Sequence, residues 1–411
     1  MSRKERLRLE VFGRVKGGEL TVVKAAGWLG VSERQARRIY QRFRLEKEAG
    51  LVHRLRGRRS NRRIDQAVRD QVVARHQERY ADFGPTHACE KLAAEDGLIV
   101  SVDTLERMLK EAGLWRRRRR CRKHRSRRER RACFGEMVQM DGSPHDWFEG
   151  RGPRCVLMDL VDDATGRTYG RLFPEETTRA AFESFAAWVR LHGIPRSLYV
   201  DRDSIYRSDR EATVEEELAG QAPLTQFGRA MDRLGVTLIK AHSPQAKGRV
   251  ERKNRTFQDR LPKELRLAGI STIEGANRFL EKTFLPELNR RDVIAARDQA
   301  DAHRRVARGM KLSEVLCFEE ERSVGQDWCV RYQNRWLQID RTHERLGLAG
   351  KTVTVRELLD GALQLLHADV KLRWAELPVR PAKVKVKKPI VNNKPWKPSA
   401  KQQPPRFRKA G

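Results

Sequence analysis

Hydrophobic residues recur at helical spacing through residues 3–48 and predict three helices. A short turn that ends at Ser32 separates the second helix from the third, and Gln35 completes the pattern of a capping box. Apolar positions fall on one face of the third helix. The opposite face carries Arg34, Arg38, Gln41 and Arg42. Residues 1–50 therefore fit a helix-turn-helix domain with a DNA-reading helix, although a helical hairpin with a solvated charged face has the same pattern.

A second helical region is predicted at residues 60–115. Its pattern gives a long helix, a break at Gly84-Pro85, a short helix and a last helix capped by Ser101. The last helix exposes Glu106 and Lys110 instead of a basic row. The region fits either a second helix-turn-helix-like domain or a helical spacer.

The pattern changes after residue 131 from helical spacing to continuous apolar runs. EMVQMDG, RCVLMDLVDDATG and RTYGRLF predict three strands, and the nearly all-apolar middle strand belongs in the interior of a sheet. Strands and helices then alternate as far as a long helix that begins near Ser243 and a closing helical segment. Residues 132–310 are therefore predicted to form an α/β domain, a mixed sheet flanked by helices.

Short strands follow at residues 320–379, with turns at Asn334 and Asp360-Gly361, and predict a small β-barrel. Residues 380–411 contain six prolines and eleven Lys or Arg without one acid, which predicts a disordered basic tail. Residues 116–131 hold twelve Lys or Arg in sixteen positions. They are predicted to be a basic linker that binds along a phosphate backbone.

Composition indicates a polyanionic partner. The 411 residues suggest two to four domains, and 87 Lys and Arg against 55 Asp and Glu give a formal net charge of +32. Counterion release favours nucleic acid as that partner. No apolar run is long enough to span a bilayer and no signal peptide is evident, so we expect a cytoplasmic protein without a membrane partner. Six dispersed cysteines without a C-x-x-C pair argue against a zinc knuckle and against a disulfide framework.

Three acids stand where predicted strands and helices converge. Asp141 ends the first predicted strand, Asp201 ends the strand SLYVD, and Glu251 lies near the start of a helix. Considered alone, Glu251 fits an exposed ion pair with Lys247 or Arg255, a contact of little energy. Together with two strand-end aspartates it fits a site for two divalent metal ions, an arrangement that serves phosphodiester chemistry.

QMDG, YVDRD and SPQAKGRVERKNRTFQ resemble the three catalytic blocks of the DDE transposases and retroviral-type integrases, with sixty positions between the aspartates and fifty to the glutamate. QMDGSPHDWFEGRGPRC followed by LVDDATG is similar to insertion-sequence transposases of the ISNCY type. The resemblance spans about residues 130–300. It implies an RNase H-like catalytic fold, two Mg²⁺ ions that Mn²⁺ can replace, and cleavage and joining of DNA at element ends. It also implies that Asp141, Asp201 and Glu251 are the catalytic metal ligands.

The same resemblance assigns Lys247 and Arg249 to DNA near the cut, and the charge of Arg252 and Arg255 suits the same duplex. The implied partners are double-stranded DNA of the element ends and target, and further copies of the chain, because two ends must be held. It implies no small-molecule substrate and a bacterial, nucleoid-associated location. The N-terminus lacks the His-His-Cys-Cys zinc pattern of retroviral integrases.

Other residues near the predicted site leave alternatives open. Asp162 and Asp163 fit a strand-ending turn in which their carboxylates accept hydrogen bonds from backbone N–H groups. Asp203 is a further candidate for a supporting role beside the metal ligands. Asp159 in an apolar strand has no evident role, and His145 and His242 fit structural hydrogen bonds better than catalysis. Two rival functions remain, a non-catalytic DNA-binding regulator and a nuclease that cuts without joining.

Overall fold

The structure is a computed structural model that describes residues 1–53, 56–57, 64–116, 129–201, 204–206, 211, 217–218, 223–240 and 248–378. The chain divides into two compact units, Met1–Cys121 and Arg122–Gly411, which we call the N-terminal and C-terminal units. The division falls within the predicted basic linker. Most of that linker and the whole predicted tail at 380–411 lie outside the described residues.

The N-terminal unit is helical, as the periodicity predicts. Its helices are α1 (Arg3–Lys16), α2 (Val22–Leu29), α3 (Glu33–Glu46), α4 (Gln66–Arg79), α5 (Pro85–Glu95) and α6 (Val102–Glu111). A 3₁₀ turn at Lys47–Leu51 follows α3. None of the helices that the structure describes has the length and apolar character of a membrane-spanning segment.

Helices α1 to α3 form the predicted helix-turn-helix. Gly30 ends α2 at φ 62, a left-handed conformation that glycine adopts without strain, and the Ser32 hydroxyl accepts the Gln35 N–H at 3.3 Å to begin α3. The three helices pack around one apolar core, which includes Phe12 and Ile39. On the outer face of α3, three of the four predicted DNA-reading side chains are exposed and the fourth, Arg42, is half-buried.

Helices α4 to α6 occupy the predicted second helical region. The Ser101 hydroxyl accepts the Thr104 N–H at the start of α6, as the sequence predicts. Leu105, Met108 and Leu109 are buried along that helix. Their burial accounts for the amphipathic pattern of the segment.

The C-terminal unit begins with an α/β domain. Its strands are β1 (Cys133–Phe134), β2 (Met137–His145), β3 (Cys155–Asp162), β4 (Thr168–Phe173), β5 (Ser197–Val200), β6 (Thr237–Lys240) and β7 (Asp298–Asp301). Its helices are α7 (Thr178–His192), α8 (Gln226–Arg233), α9 (Val250–Leu267), α10 (Ile273–Phe279) and α11 (Leu285–Asp292). A π-helical turn at Leu280–Phe284 joins α10 to α11.

Five of these strands form one mixed sheet in the order β4-β3-β2-β5-β6. β3 runs antiparallel to both β2 and β4, whereas β2, β5 and β6 are mutually parallel. This is the RNase H-like arrangement that the sequence predicts, so the predicted fold class is confirmed. Strands β1 and β7 form a separate parallel pair that the apolar pattern does not predict.

Helices cover both faces of the mixed sheet, as predicted for this fold class. Helices α7 and α8 pack on one face through an apolar cluster that includes Phe182 and Phe227. Helices α9 to α11 pack on the other face through Phe257 and Leu261 of α9. Val138 and Met140 of β2 face the first cluster. Because side chains alternate along a strand, Gln139 and Asp141 face α9.

Residues 312–377 form a C-terminal β domain around one apolar core. After the short helix α12 (Leu312–Val315) come β8 (Phe318–Ser323), β9 (Cys329–Tyr332), β10 (Arg335–Ile339), β11 (Thr352–Glu357), β12 (Leu363–His367), β13 (Val370–Leu372) and β14 (Trp374–Leu377). They form a three-stranded sheet, β14-β10-β9, and a four-stranded sheet, β13-β12-β11-β8. Asn334 and Gly361 lie in the turns that the sequence predicts, both at positive φ.

Polar contacts attach this β domain to the α/β domain. Arg179 of α7 donates to Glu357 Oε1 at 2.8 Å and to the carbonyl oxygen of Leu359 at 2.6 Å. The buried Arg356 of β11 pairs with Glu319 at 2.8 Å, and Arg229 of α8 pairs with the same carboxylate at 2.8 Å. The β domain is therefore fixed to the helices on the face of the mixed sheet that lies away from α9.

Candidate active site

Asp141 lies in the middle of the central strand β2, and not at its end as the sequence analysis predicted. The prediction was wrong because β3 continues to pair with β2 as far as His145. The parallel pairing with β5 is shorter and ends at Gln139 and Tyr199. Asp141 is therefore two residues beyond the last residue of β2 that β5 covers, and its side chain is half-buried.

Asp201 directly follows β5, as predicted, and its side chain is half-buried. It stands two residues beyond Tyr199, just as Asp141 stands two residues beyond Gln139. The two aspartates thus occupy matching positions past the end of the same parallel pairing. Asp203 lies outside the described residues.

Glu251 is the second residue of α9 and its side chain is 32% exposed. The helix begins at Val250, later than the start near Ser243 that the sequence predicts, because Gly248 and Arg249 form a turn. The guanidinium of Arg255 is 3.9 Å from Glu251 Oε2. At that distance the ion pair is weak and exposed, so it does not account for the position of the glutamate.

Asn254 connects α9 to Asp141. Its side-chain Nδ2 donates to Asp141 Oδ2 at 3.0 Å. Residues three apart on a helix share a face, so Glu251 lies on the side of α9 that faces Asp141. The sequence analysis missed Asn254, although its spacing from Glu251 was a usable signal.

The donor chemistry of this region fits a hard divalent cation. Asp141, Asp201 and Glu251 supply carboxylate oxygens, and the buried Oδ1 of Asn254 has no hydrogen-bond partner among the described residues. Oxygen ligands of this kind suit Mg²⁺. The described side chains nevertheless include no group of three or more His, Cys, Asp or Glu placed to hold a metal ion, so the three acids are not gathered into a finished cluster.

The other acids near the site have distinct environments. Asp162 accepts from the Thr165 N–H at 2.7 Å and from the Gly135 N–H at 3.0 Å, as expected for a strand-ending turn, and burial raises the pKa of its carboxyl. Asp159 is fully buried on β3, directly opposite Asp141 in the antiparallel register. Asp163 is also fully buried, and its carboxylate accepts hydrogen bonds from a side chain of β2 and from the residue that precedes α9.

The predicted DNA-contacting residues of this region fall into two groups. Arg252 and Arg255 are exposed on α9. Arg249 is only 17% exposed and its Nη1 is 2.6 Å from Asp163 Oδ1. Lys247 and His242 lie outside the described residues, and His145 is exposed at the end of β2.

Lys253 forms a second buried contact on α9. Its Nζ is 2.8 Å from Asp292 Oδ2 at the end of α11. Burial tends to raise the pKa of Asp292, but hydrogen bonds from Arg291 and Lys253 outweigh that effect and lower it. Lys253 therefore holds α9 against α11 and is unsuited to contact DNA.

Comparison with known proteins decides the family. A winged helix-turn-helix family matches residues 8–70. Transposase y4bF of Sinorhizobium fredii is 40% identical over 382 residues, which cover 92% of this chain and 81% of that protein. The chain belongs to the transposase family. The chain is also 28% identical over 411 residues to the transposase for insertion sequence IS1202 of Streptococcus pneumoniae. That match covers 89% of this chain and 85% of that protein.

Solved structures with a weaker likeness include two retroviral integrase catalytic cores. The BIV integrase core is 19% identical, covers 38% of this chain and 85% of its own, and gives a TM-score of 0.28. The HTLV-2 integrase core in complex with magnesium is 18% identical, covers 40% of this chain and 94% of its own, and gives a TM-score of 0.30. The family assignment therefore rests on the transposase relatives.

Proposed function

We propose that this transposase cuts DNA at the ends of its element and joins those ends to target DNA, with Asp141, Asp201 and Glu251 as the ligands of catalytic divalent metal ions. The observation that carries the proposal is the hydrogen bond from Asn254 to Asp141, which holds the N-terminal part of α9 beside the first aspartate. The matching positions of Asp141 and Asp201 past the pairing of β2 and β5 support it.

Divalent ions held by Asp141, Asp201 and Glu251 would supply the activation of a water or a 3′-hydroxyl and the stabilisation of the leaving oxygen that an in-line displacement requires. The three carboxylates would hold these ions as Mg²⁺, with Mn²⁺ as a substitute. Asn254 orients one oxygen of Asp141 through its side-chain N–H. Arg252 and Arg255, with Lys247, would neutralise the phosphates that approach the site.

The helix-turn-helix supplies recognition of DNA in this proposal. Membership of the transposase family and the winged helix-turn-helix match imply DNA binding by the N-terminal unit. The exposed face of α3 would read the element ends through Arg34, Arg38, Gln41 and Arg42. Because two ends are joined in one reaction, we propose that the chain acts on DNA as a homo-oligomer.

Arg38→Ala is expected to weaken binding to the element-end duplex about tenfold, with a smaller loss on unrelated DNA, because a base-reading arginine contributes about 1–3 kcal/mol at its own position. Fluorescence anisotropy of both duplexes at fixed salt measures this difference. Arg37→Ala is the matched control, because Arg37 lies 3.9 Å from Glu33 on the same helix. An equal loss on both duplexes would assign Arg38 to phosphate, and no loss would favour the plain helical hairpin.

A cleavage and joining assay tests the proposed function directly. Purified full-length protein is mixed with a labelled element-end duplex and a target plasmid in Mg²⁺, in Mn²⁺ or in EDTA. The proposal expects 3′-end nicks and joined products with either ion and neither product in EDTA. Binding without cleavage under both ions would favour the regulator, and cleavage without joining would favour the nuclease.

A further inference from the structure

The first turn of α9 is held in place by residues that are not part of the helix. Arg249 occupies the N-cap position and its side chain makes no capping hydrogen bond. The first helical N–H, that of Val250, donates instead to Gln139 Oε1 of β2 at 3.2 Å. A strand side chain thus takes over the role that a capping residue usually has.

Asp163 fixes the orientation of Gln139. The Gln139 Nε2 donates to Asp163 Oδ1 at 2.8 Å, which leaves Gln139 Oε1 directed at Val250. Arg249 Nη1 donates to the same Asp163 oxygen at 2.6 Å. The second oxygen, Oδ2, accepts the Arg131 N–H at 2.9 Å. Gln139 and Asp163 are both fully buried, so each donor matters for keeping a carboxylate there.

We propose that Arg249, Asp163 and Gln139 form a brace that positions Glu251 relative to Asp141. The inference rests on the proposed function and adds positioning residues to it. Gln139 lies two residues before Asp141 on the same face of β2, and Arg249 lies two residues before Glu251. The brace therefore links β2 to the start of α9 at positions two residues before each of the two carboxylates.

The contacts of Arg249 argue against the DNA role that the sequence predicts for it. The Arg249 side chain is only 17% exposed, and a phosphate that drew its guanidinium away from Asp163, which is 0% exposed, would break a buried pair. Removing one partner of a buried pair is strongly unfavourable, because the remaining charge stays buried without compensation. Arg252 and Arg255, which are exposed on the same helix, can approach a duplex without that loss.

Hydrogen exchange at the start of α9 tests the brace without any catalytic readout. In metal-free full-length protein, Arg249→Gln and Asp163→Asn are each expected to speed exchange of the Val250 amide at least about tenfold, because its acceptor is no longer oriented. The double variant should exchange no faster than the faster single variant, because both changes remove one network. Arg252→Gln is the matched control and should leave this protection unchanged. Unchanged protection in Arg249→Gln would overturn the proposal.

A Mg²⁺ titration of end nicking separates positioning from DNA contact. We expect Arg249→Gln to raise the half-maximal Mg²⁺ concentration about tenfold at saturating DNA, with Arg249→Lys restoring part of it and DNA affinity in EDTA unchanged. Lower DNA affinity, with a salt slope reduced by about 1, would instead make Arg249 a phosphate contact and overturn the brace. If the wild type cuts no DNA, the proposed function fails while the exchange experiment still decides on the brace. If Asp163→Asn does not fold, the Arg249 variants decide alone.

Discussion

Glu251→Gln is expected to lower the rates of 3′-end nicking and strand joining at least about 1000-fold, while DNA affinity in EDTA stays at the wild-type level. Glutamine has nearly the same shape as glutamate but lacks the negative charge that a divalent ion requires. The side chain is 32% exposed, so its replacement leaves the apolar core of α9 intact. Single-turnover assays with a labelled end duplex measure the rates, and thermal melting checks the fold.

Asp259→Asn is the matched control for this experiment. Asp259 is also an acid on α9, its side chain is 60% exposed, and it pairs with Lys263 at 2.7 Å. We expect its rates to remain within about twofold of wild type, because exposed ion pairs contribute little. If Glu251→Gln keeps more than a tenth of the wild-type rate, Glu251 is a surface charge beside Arg255 and another acid must hold the metal.

Local patterns explain why so much of the fold could be predicted from the sequence. The caps of α3 and α6, the buried stripe of α9 and the strand runs each depend on residues a few positions apart. Three short blocks carry the resemblance to the family, and their order predicts the site before any contact is known. Elements and candidate carboxylates are therefore accessible to sequence reasoning.

The parts that the sequence could not predict depend on contacts between distant segments. The position of Asp141 within β2 is set by how far β3 extends beside it. Val250 contacts Gln139 across 111 positions, Asn254 contacts Asp141 across 113, and Arg249 contacts Asp163 across 86. Nothing in the local pattern distinguishes Arg249 from its exposed neighbour Arg252. Only the folded sheet shows that one guanidinium is enclosed and the other faces solvent.

Phe257→Ala is expected to lower the free energy of unfolding of the C-terminal unit by about 3–5 kcal/mol. Phe257 is fully buried beneath α9, and its ring stacks on Phe284 with 5.7 Å between ring centroids. It also lies over Gly170 of β4, where even an added Cβ would be 3.4 Å from the ring. Alanine would leave a cavity that these neighbours cannot close without moving the helix. Urea denaturation followed by circular dichroism measures the loss.

Leu191→Ala is the control for the packing effect, because Leu191 is 62% exposed on α7 and should change stability by less than about 1 kcal/mol. The loss of stability for Phe257→Leu should lie between those of Leu191→Ala and Phe257→Ala, since leucine keeps most of the buried volume. Glu251→Gln and Phe257→Ala together separate two roles of α9. Glu251→Gln should remove activity at full stability, whereas Phe257→Ala should lower stability and, by loosening α9 over the sheet, raise the Mg²⁺ requirement of whatever activity remains. A loss below about 1 kcal/mol for Phe257→Ala would mean that α9 is held mainly by its polar contacts at Gln139, Asp141 and Asp292.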